Sequence, residues 1–237
     1  MKNQIVNAAG NLWNKFDFPR LGKLRFDILW TIYHLFPLIG GINYSRLAEW
    51  KFVLNHLPAL PAKILDVGST TSLFAFKLQA SGYQTDSLDQ RDPNFRLPET
   101  IGFHRGDLMA LGIKSHVYDA VCCISTLEHV GMGRYGDPHC SQGGDLQAVK
   151  EMLRVLKPGG RLIATTNICC ETCIYNDEIR YGEDGLAELM GAGKLLDLEY
   201  RYFDGRGWNI CDSTRAFDRG PEDFAIAMFV LSKSYST

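Results

Sequence analysis

The sequence predicts a doubly wound α/β fold, a mostly parallel seven-stranded sheet with helices on both faces, preceded by a helical extension. Three observations predict it. From Pro61 onward short apolar runs alternate with helical segments, the pattern of strand–helix–strand units. The run Tyr118 to Ile124 is almost wholly apolar, as a strand covered on both faces must be. Finally, Asp66 and Gly68, Asp89, and Asp107 follow successive strand candidates, and an open parallel sheet binds ligands beyond the carboxyl ends of its strands.

Residues 1–60 read as a helical extension or lid, and residues 61–237 as the main domain. In the first stretch Leu24, Ile28, Thr31 and Leu35 fall on one side of a helix. Lys15, Arg20, Lys23 and Arg25 flank the apolar run, which suits peripheral membrane or partner contact as well as packing on the main domain. The first strand, Ile64 to Val67, ends at Gly68. Leu73 to Ala80 is a helix closed by Ser81-Gly82, and strands follow at Gln84 to Leu88, Ile101 to His104 and Tyr118 to Ile124. A helix from Asp145 to Leu156, with Asp145 as N-cap, stops at Lys157-Pro158-Gly159-Gly160 and leads into a strand at Arg161 to Thr165. Glu183 to Gly191 reads as a helix, Leu196 to Phe203 and Phe224 to Leu231 as the last two strands.

Composition removes several functional classes. The 25 basic residues nearly balance the 27 acidic ones, giving −2, so there is no global field to hold a polyanion and no nucleic-acid partner is expected. Seven cysteines, with Cys122-Cys123 and Cys169-Cys170 adjacent, look like reduced thiols and not a secreted disulfide framework. Met1 to Asn14 is polar and lacks the core of a signal peptide. Ile28 to Ile42 contains His34 and Pro37 and falls short of the roughly 20 apolar residues that cross a bilayer. No transmembrane segment and a cytoplasmic location are therefore expected. The oligomeric state is not legible.

The strand ends suit a nucleoside. A carboxylate just past the second strand can accept both hydroxyls of a ribose, and Gly68 lets a ligand approach without a Cβ in the way. The same residue types also serve as turn and cap residues, so their joint placement carries the functional reading. Cys170-Glu171-Thr172-Cys173 has the spacing of half a zinc site. With only neighbouring His139-Cys140 to complete it, no metal is expected.

Ile64 to Ser72 with Asp89, Gly106-Asp107-Leu108, Tyr118-Asp119-Ala120-Val121 and Arg154-Val155-Leu156-Lys157-Pro158-Gly159-Gly160 together resemble a class I S-adenosylmethionine-dependent methyltransferase, over about residues 61–167. Leu127-Glu128-His129 and Gly133-Arg134-Tyr135-Gly136-Asp137-Pro138 are similar to methyltransferase-like proteins linked with sugar or glycan biosynthesis. The resemblance implies that Asp66, Gly68, Ser69 and Thr70 lie by the methionine part of S-adenosylmethionine. It puts Asp89 on the ribose, Asp107 and Leu108 at the adenine, and Ser125 near the sulfonium. Where the family has D-x-G-x-G-x-G, this chain keeps only the first glycine, and Thr70 and Ser72 stand in the turn.

Methyl transfer to a hydroxyl of a small molecule or glycan precursor would gain from a base, for which His129 is the first candidate and Glu128 the second. The loop Gly131 to Gly144, with Arg134 and Tyr135, would border the acceptor, and Asp137 is a weaker base candidate. Arg206 and Trp208 form a further polar–aromatic pair. Two other readings stay open. One is a non-catalytic cofactor-binding protein on the same fold, favoured by the missing glycines. The other is a nicotinamide-dependent sugar reductase or epimerase, disfavoured because Thr70 and Thr71 stand where a pyrophosphate must approach a helix and no Tyr-x-x-x-Lys pair is present.

Overall fold

The computed structural model describes residues 45–70, 72–93, 96–133, 135 and 143–233. The helices expected before residue 45 therefore lie outside the described residues, as do Thr71, Arg134 and the segment 136–142 that holds Asp137, His139 and Cys140. The chain runs α1 (Ser45–His56), β1 (Lys63–Val67), α2 (Phe74–Ala80), β2 (Gln84–Asp89), β3 (Ile101–Arg105) and β4 (Tyr118–Ile124). A 3-10 turn at Leu127–His129 precedes α3 (Gly144–Val155) and β5 (Leu156–Ile168). Then come β6 (Cys173–Tyr175), β7 (Glu178–Arg180), α4 (Glu183–Met190), β8 (Lys194–Phe203), β9 (Trp208–Cys211), α5 (Ser213–Phe217) and β10 (Ala225–Ser232).

The sheet order is β3-β2-β1-β4-β5-β10-β8-β9. Strands β1 to β5 are parallel, while β10 is antiparallel to β5 and β8. Among the described residues the sheet thus has eight strands, where the sequence predicts seven. The extra one, β9, pairs antiparallel with β8 at the sheet's edge, and its Asn209 and exposed Ile210 give it no alternation to read. Trp50, Phe52 and Val53 of α1 and Phe74 and Leu78 of α2 cover one face of the sheet. Val149 and Met152 of α3, Leu186 and Leu189 of α4 and Ala216 of α5 cover the other. Strands sandwiched this way must be apolar on both sides, which explains why Val121, Cys122 and Cys123 are all fully buried.

Two local features differ from expectation. Gly143, at φ +98°, is the N-cap of α3, and Asp145 sits inside the first turn, where Oδ2 accepts from the Tyr181 hydroxyl at 2.9 Å. The Lys157-Pro158-Gly159-Gly160 segment belongs to β5 as a bulge. Leu156 pairs with Tyr118 and Arg161 with Ala120, so these residues loop out opposite Asp119. Gly159 takes φ +75°, and a Cβ on Gly160 would lie 2.9 Å from the Lys157 carbonyl oxygen. Lys157 Nζ then pins the bulge to Asp119 at 2.8 Å. This strongly family-like motif is a fold device at the amino end of β5, opposite the edge described next.

Candidate active site

The carboxyl ends of β1 and β2 are tied together. Gly68 N–H donates to the Leu88 carbonyl at 2.9 Å, and Thr70 N–H donates to Asp89 Oδ2 at 3.0 Å. Asp89 Oδ1 accepts from the Arg91 N–H (3.0 Å) and Nε (3.2 Å). Burial acts to raise the Asp89 pKa, but the Arg91 and Thr70 donors together outweigh it and hold the carboxyl below its usual range. Ser69 and Thr70 replace the family's turn glycine and its neighbour without leaving a polar group stranded. Their hydroxyls donate to the carbonyls of Leu88 (3.4 Å) and Arg91 (3.2 Å). Ser72 Oγ accepts the Phe74 N–H at 3.1 Å in the turn that leads into α2, whose N-cap is Leu73.

Gly68 is required by geometry. It takes φ +74°, and an added Cβ would run into the Thr126 side chain, with Cγ2 2.7 Å away. The ends of β1 and β4 are therefore in close contact at this point. Asp66 lies just beneath, buried, with Oδ2 lacking a hydrogen-bond partner. Burial pushes its pKa up to about 8, against the pull of the Ala75 N–H and the Arg46 charge.

Helix α1 reaches the neighbouring strand ends. Glu49 is fully buried and accepts from the hydroxyls of Ser125 and Thr165, the latter at 2.6 Å, while Arg46 Nη1 donates to the Ile124 carbonyl at 3.2 Å. Ser125 takes φ +44°, an uncommon backbone state for a residue with a side chain, held because its N–H donates to Thr165 Oγ1 at 3.0 Å. Glu49 was not legible in sequence, since a glutamate on a helix is ordinarily on its solvated face.

The two base candidates separate. Glu128 is buried beneath the edge, accepting from Thr166 Oγ1 (3.1 Å) and Asn167 Nδ2 (3.2 Å). Burial, with the charges of Glu49 and Glu178 nearby, pushes its pKa up to about 8, so it is mostly neutral at pH 7. His129 keeps 17% of its side chain exposed, with Nε2 3.8 Å from Glu178 Oε2 and the ring edge-on to Tyr135 at 5.5 Å. Tyr135 in turn lies under the Arg91 guanidinium at 4.1 Å, which connects the β4 end to the β2 end. Glu178 and Arg180 come from the β6–β7 hairpin, which the sequence reading passed over. Its signal was Asn176-Asp177, both at positive φ (52° and 59°), the two-residue turn that matches strand twist.

Asp107 and Leu108 serve local structure here. Asp107 Oδ1 accepts the Met109 N–H at 2.9 Å, and Leu108 packs into the main core. Trp208 packs between Phe203 and Phe224, and Arg206 N–H donates to Asp204 in the turn before it. No group of three or more metal-ligating side chains occurs among the described residues.

The strand order, with an antiparallel strand beside β5 and carboxylates at the ends of β1 and β2, is that of the Rossmann-like class I methyltransferase fold. Residues 65–164, rather less than half of the chain, match the family profile described as a methyltransferase domain. Solved structures share the fold at low identity. A Methanosarcina mazei S-adenosylmethionine-dependent methyltransferase is 14% identical over 77% of this chain and 97% of that one, with a TM-score of 0.55. Burkholderia thailandensis 1,6-didemethyltoxoflavin-N1-methyltransferase, solved with 1,6-didemethyltoxoflavin and S-adenosylhomocysteine bound, is 17% identical over 90% of this chain and 88% of that one, at 0.57. The [4+2]-cyclase SpnF is 18% identical over 82% and 84%, also at 0.57, so the fold by itself does not fix the reaction. No curated protein matches the chain.

The residues present fit the cofactor at two points. Asp89 Oδ2 accepts one hydrogen bond from Thr70 and keeps a lone pair for a hydroxyl. The buried Oδ2 of Asp66 lacks a donor that an ammonium group would supply.

Proposed function

We propose that the protein methylates a hydroxyl of a small molecule or glycan precursor, in the cytoplasm. The observation that carries the reading is the Asp89 carboxylate at the end of β2, facing the β1 turn through Thr70. In this reading Asp89 accepts from the ribose hydroxyls and Asp66, with Gly68, Ser69 and Thr70, lies by the methionine part. Asp107 and Leu108 border the adenine through their backbone, since the Asp107 carboxylate and the Leu108 side chain are already engaged. Ser125 offers its carbonyl near the sulfur, its N–H and hydroxyl being in use.

The cofactor brings a methyl group already activated on a sulfonium. What remains for the chain is alignment, which is worth up to about 7–11 kcal/mol, and removal of the acceptor proton, worth about 10²–10⁴-fold. His129 takes that proton at an imidazole nitrogen, backed by Glu178, while Glu128 below it is mostly neutral and positions Thr166 and Asn167. The glycan assignment rests on the likeness of Leu127-Glu128-His129 and the segment after it. Calorimetric titration with S-adenosylhomocysteine tests the cofactor half: binding in wild type and sharply weaker binding in Asp89→Ala are expected, and equal affinity would refute the ribose assignment. Release of S-adenosylhomocysteine with a panel of sugars and sugar phosphates tests the acceptor half.

A further inference from the structure

We infer that Arg180 is the receptor for an oxyanion, a carboxylate or phosphate, carried by the methyl acceptor. The inference rests on the methyltransferase reading above and names the acceptor's chemistry.

Arg180 ends β7, and the next residue, Tyr181, forms a parallel bridge with Ile168 at the carboxyl end of β5. That places the side chain on the sheet edge of the candidate site, beside the 3-10 turn that carries His129. The guanidinium lies 3.9 Å over the Phe224 ring, with Tyr175 at 5.8 Å, and 6% of the side chain is exposed. Its Nη2 pairs with Glu178 Oε1. Nε and Nη1 are buried and have no acceptor.

Such a cation is unusual, because buried donors left unmet cost roughly 1–3 kcal/mol each. Arg154 in the same chain shows what a structural arginine looks like here. Its Nε, Nη1 and Nη2 all donate, to Glu151, to the carbonyls of Ile113 and Leu111, and to Ser115. Arg180 has one partner, and Glu178 divides its charge between Arg180, His129 and the Asn167 amide (3.5 Å). A guanidinium stacked on an aromatic ring, with two free donors, is built to take charged oxygens. The aromatic platform fixes its plane, so the donors are oriented before a ligand arrives. An acceptor bound this way would hold its oxyanion at Arg180 and present its hydroxyl to His129, with Glu178 spanning the two.

The test uses full-length protein in a buffer free of competing oxyanions, titrated separately with inorganic phosphate and with acetate. In ¹⁵N-labelled protein the Arg180 Nε–H resonance, identified by its loss in Arg180→Lys, should shift saturably with one of the two anions; which one separates phosphate from carboxylate. Calorimetry should show that anion binding about ten-fold or more weaker in Arg180→Gln, the scale of a lost charge-assisted hydrogen bond. S-adenosylhomocysteine affinity should stay unchanged in both variants. An Nε–H resonance indifferent to both anions overturns the inference. So does a parallel loss of S-adenosylhomocysteine binding, which would assign the guanidinium to the cofactor's own carboxylate. Failure of wild type to bind S-adenosylhomocysteine, with the anion shift intact, would instead refute the methyltransferase reading of the site while leaving an oxyanion site at Arg180.

Discussion

Glu178 Oε2 lies 3.8 Å from His129 Nε2, so a carboxylate from the β6–β7 hairpin stands behind the imidazole that follows β4. The same carboxylate is the counter-charge of buried Arg180. Removing one partner of a buried pair leaves an uncompensated charge, which costs about 3–5 kcal/mol, whereas replacing both can be nearly neutral. Glu178→Gln should therefore destabilise the fold by several kcal/mol in urea denaturation. Adding Arg180→Met should recover most of that loss. If the two substitutions simply add, Glu178 is not the group that neutralises Arg180.

Stability should fall as pH rises between about 5 and 8. Asp66 and Glu128 are both pushed up to about 8 by burial, so in this window the folded protein holds protons that the unfolded chain has already released. Each group's contribution is complete near its unfolded pKa and is lost as pH climbs through its folded one, with a slope of at most about 1.4 kcal/mol per pH unit. Asp66→Asn and Glu128→Gln should each flatten the profile, and the double variant should flatten it most. A profile the double variant leaves unchanged would mean that other groups set it.

With Asp66 beside the methionine part, as proposed, cofactor binding would also be coupled to pH. If the cofactor's ammonium settles beside its unpartnered oxygen, the carboxyl ionises and releases a proton. Affinity for S-adenosylhomocysteine should then rise from pH 7 to about 8 and level off above it. The binding enthalpy at pH 7 should vary with the buffer's heat of ionisation, and Asp66→Asn should abolish that variation. Enthalpies independent of buffer in wild type would place the ammonium elsewhere.

The fold was legible because its central strands are sandwiched. The apolar run Tyr118 to Ile124, too short for a helix and bounded by polar residues, reads as a buried strand, and Asp66 and Asp89 do lie at the carboxyl ends of β1 and β2, where an open parallel sheet binds ligands. What escaped has a physical cause in each case. Strand β9 sits at an edge, where burial imposes no pattern. Glu49 and Arg180 are buried charges, and sequence rules put charges on the surface. Their roles depend on partners far along the chain: Glu49 meets Thr165, and Arg180 stacks on Phe224. In sequence Leu127-Glu128-His129 offers two base candidates, and only packing tells that Glu128 turns under the sheet edge while His129 stays partly open.

Gly68 gives the sharpest test of how closely β1 and β4 meet at the proposed cofactor edge. Gly68→Ala adds a Cβ to a residue at φ +74°, where a left-handed backbone costs a non-glycine residue about 1–2 kcal/mol, and drives that Cβ into Thr126. The hydroxyl of Thr126 already donates to the Ile124 carbonyl at 3.1 Å, so the side chain cannot swing aside without giving up that bond. The single variant should lose stability by more than the backbone term alone. Thr126→Gly removes the steric part and leaves the backbone part, so Gly68→Ala should cost less stability in the Thr126→Gly background than in wild type, but still about the backbone amount. S-adenosylhomocysteine affinity, measured by calorimetry on each variant, should fall in Gly68→Ala because the added methyl also displaces the turn that holds Thr70 against Asp89. Gly68→Ala binding as tightly as wild type would show that the cofactor does not approach the β1 turn at all.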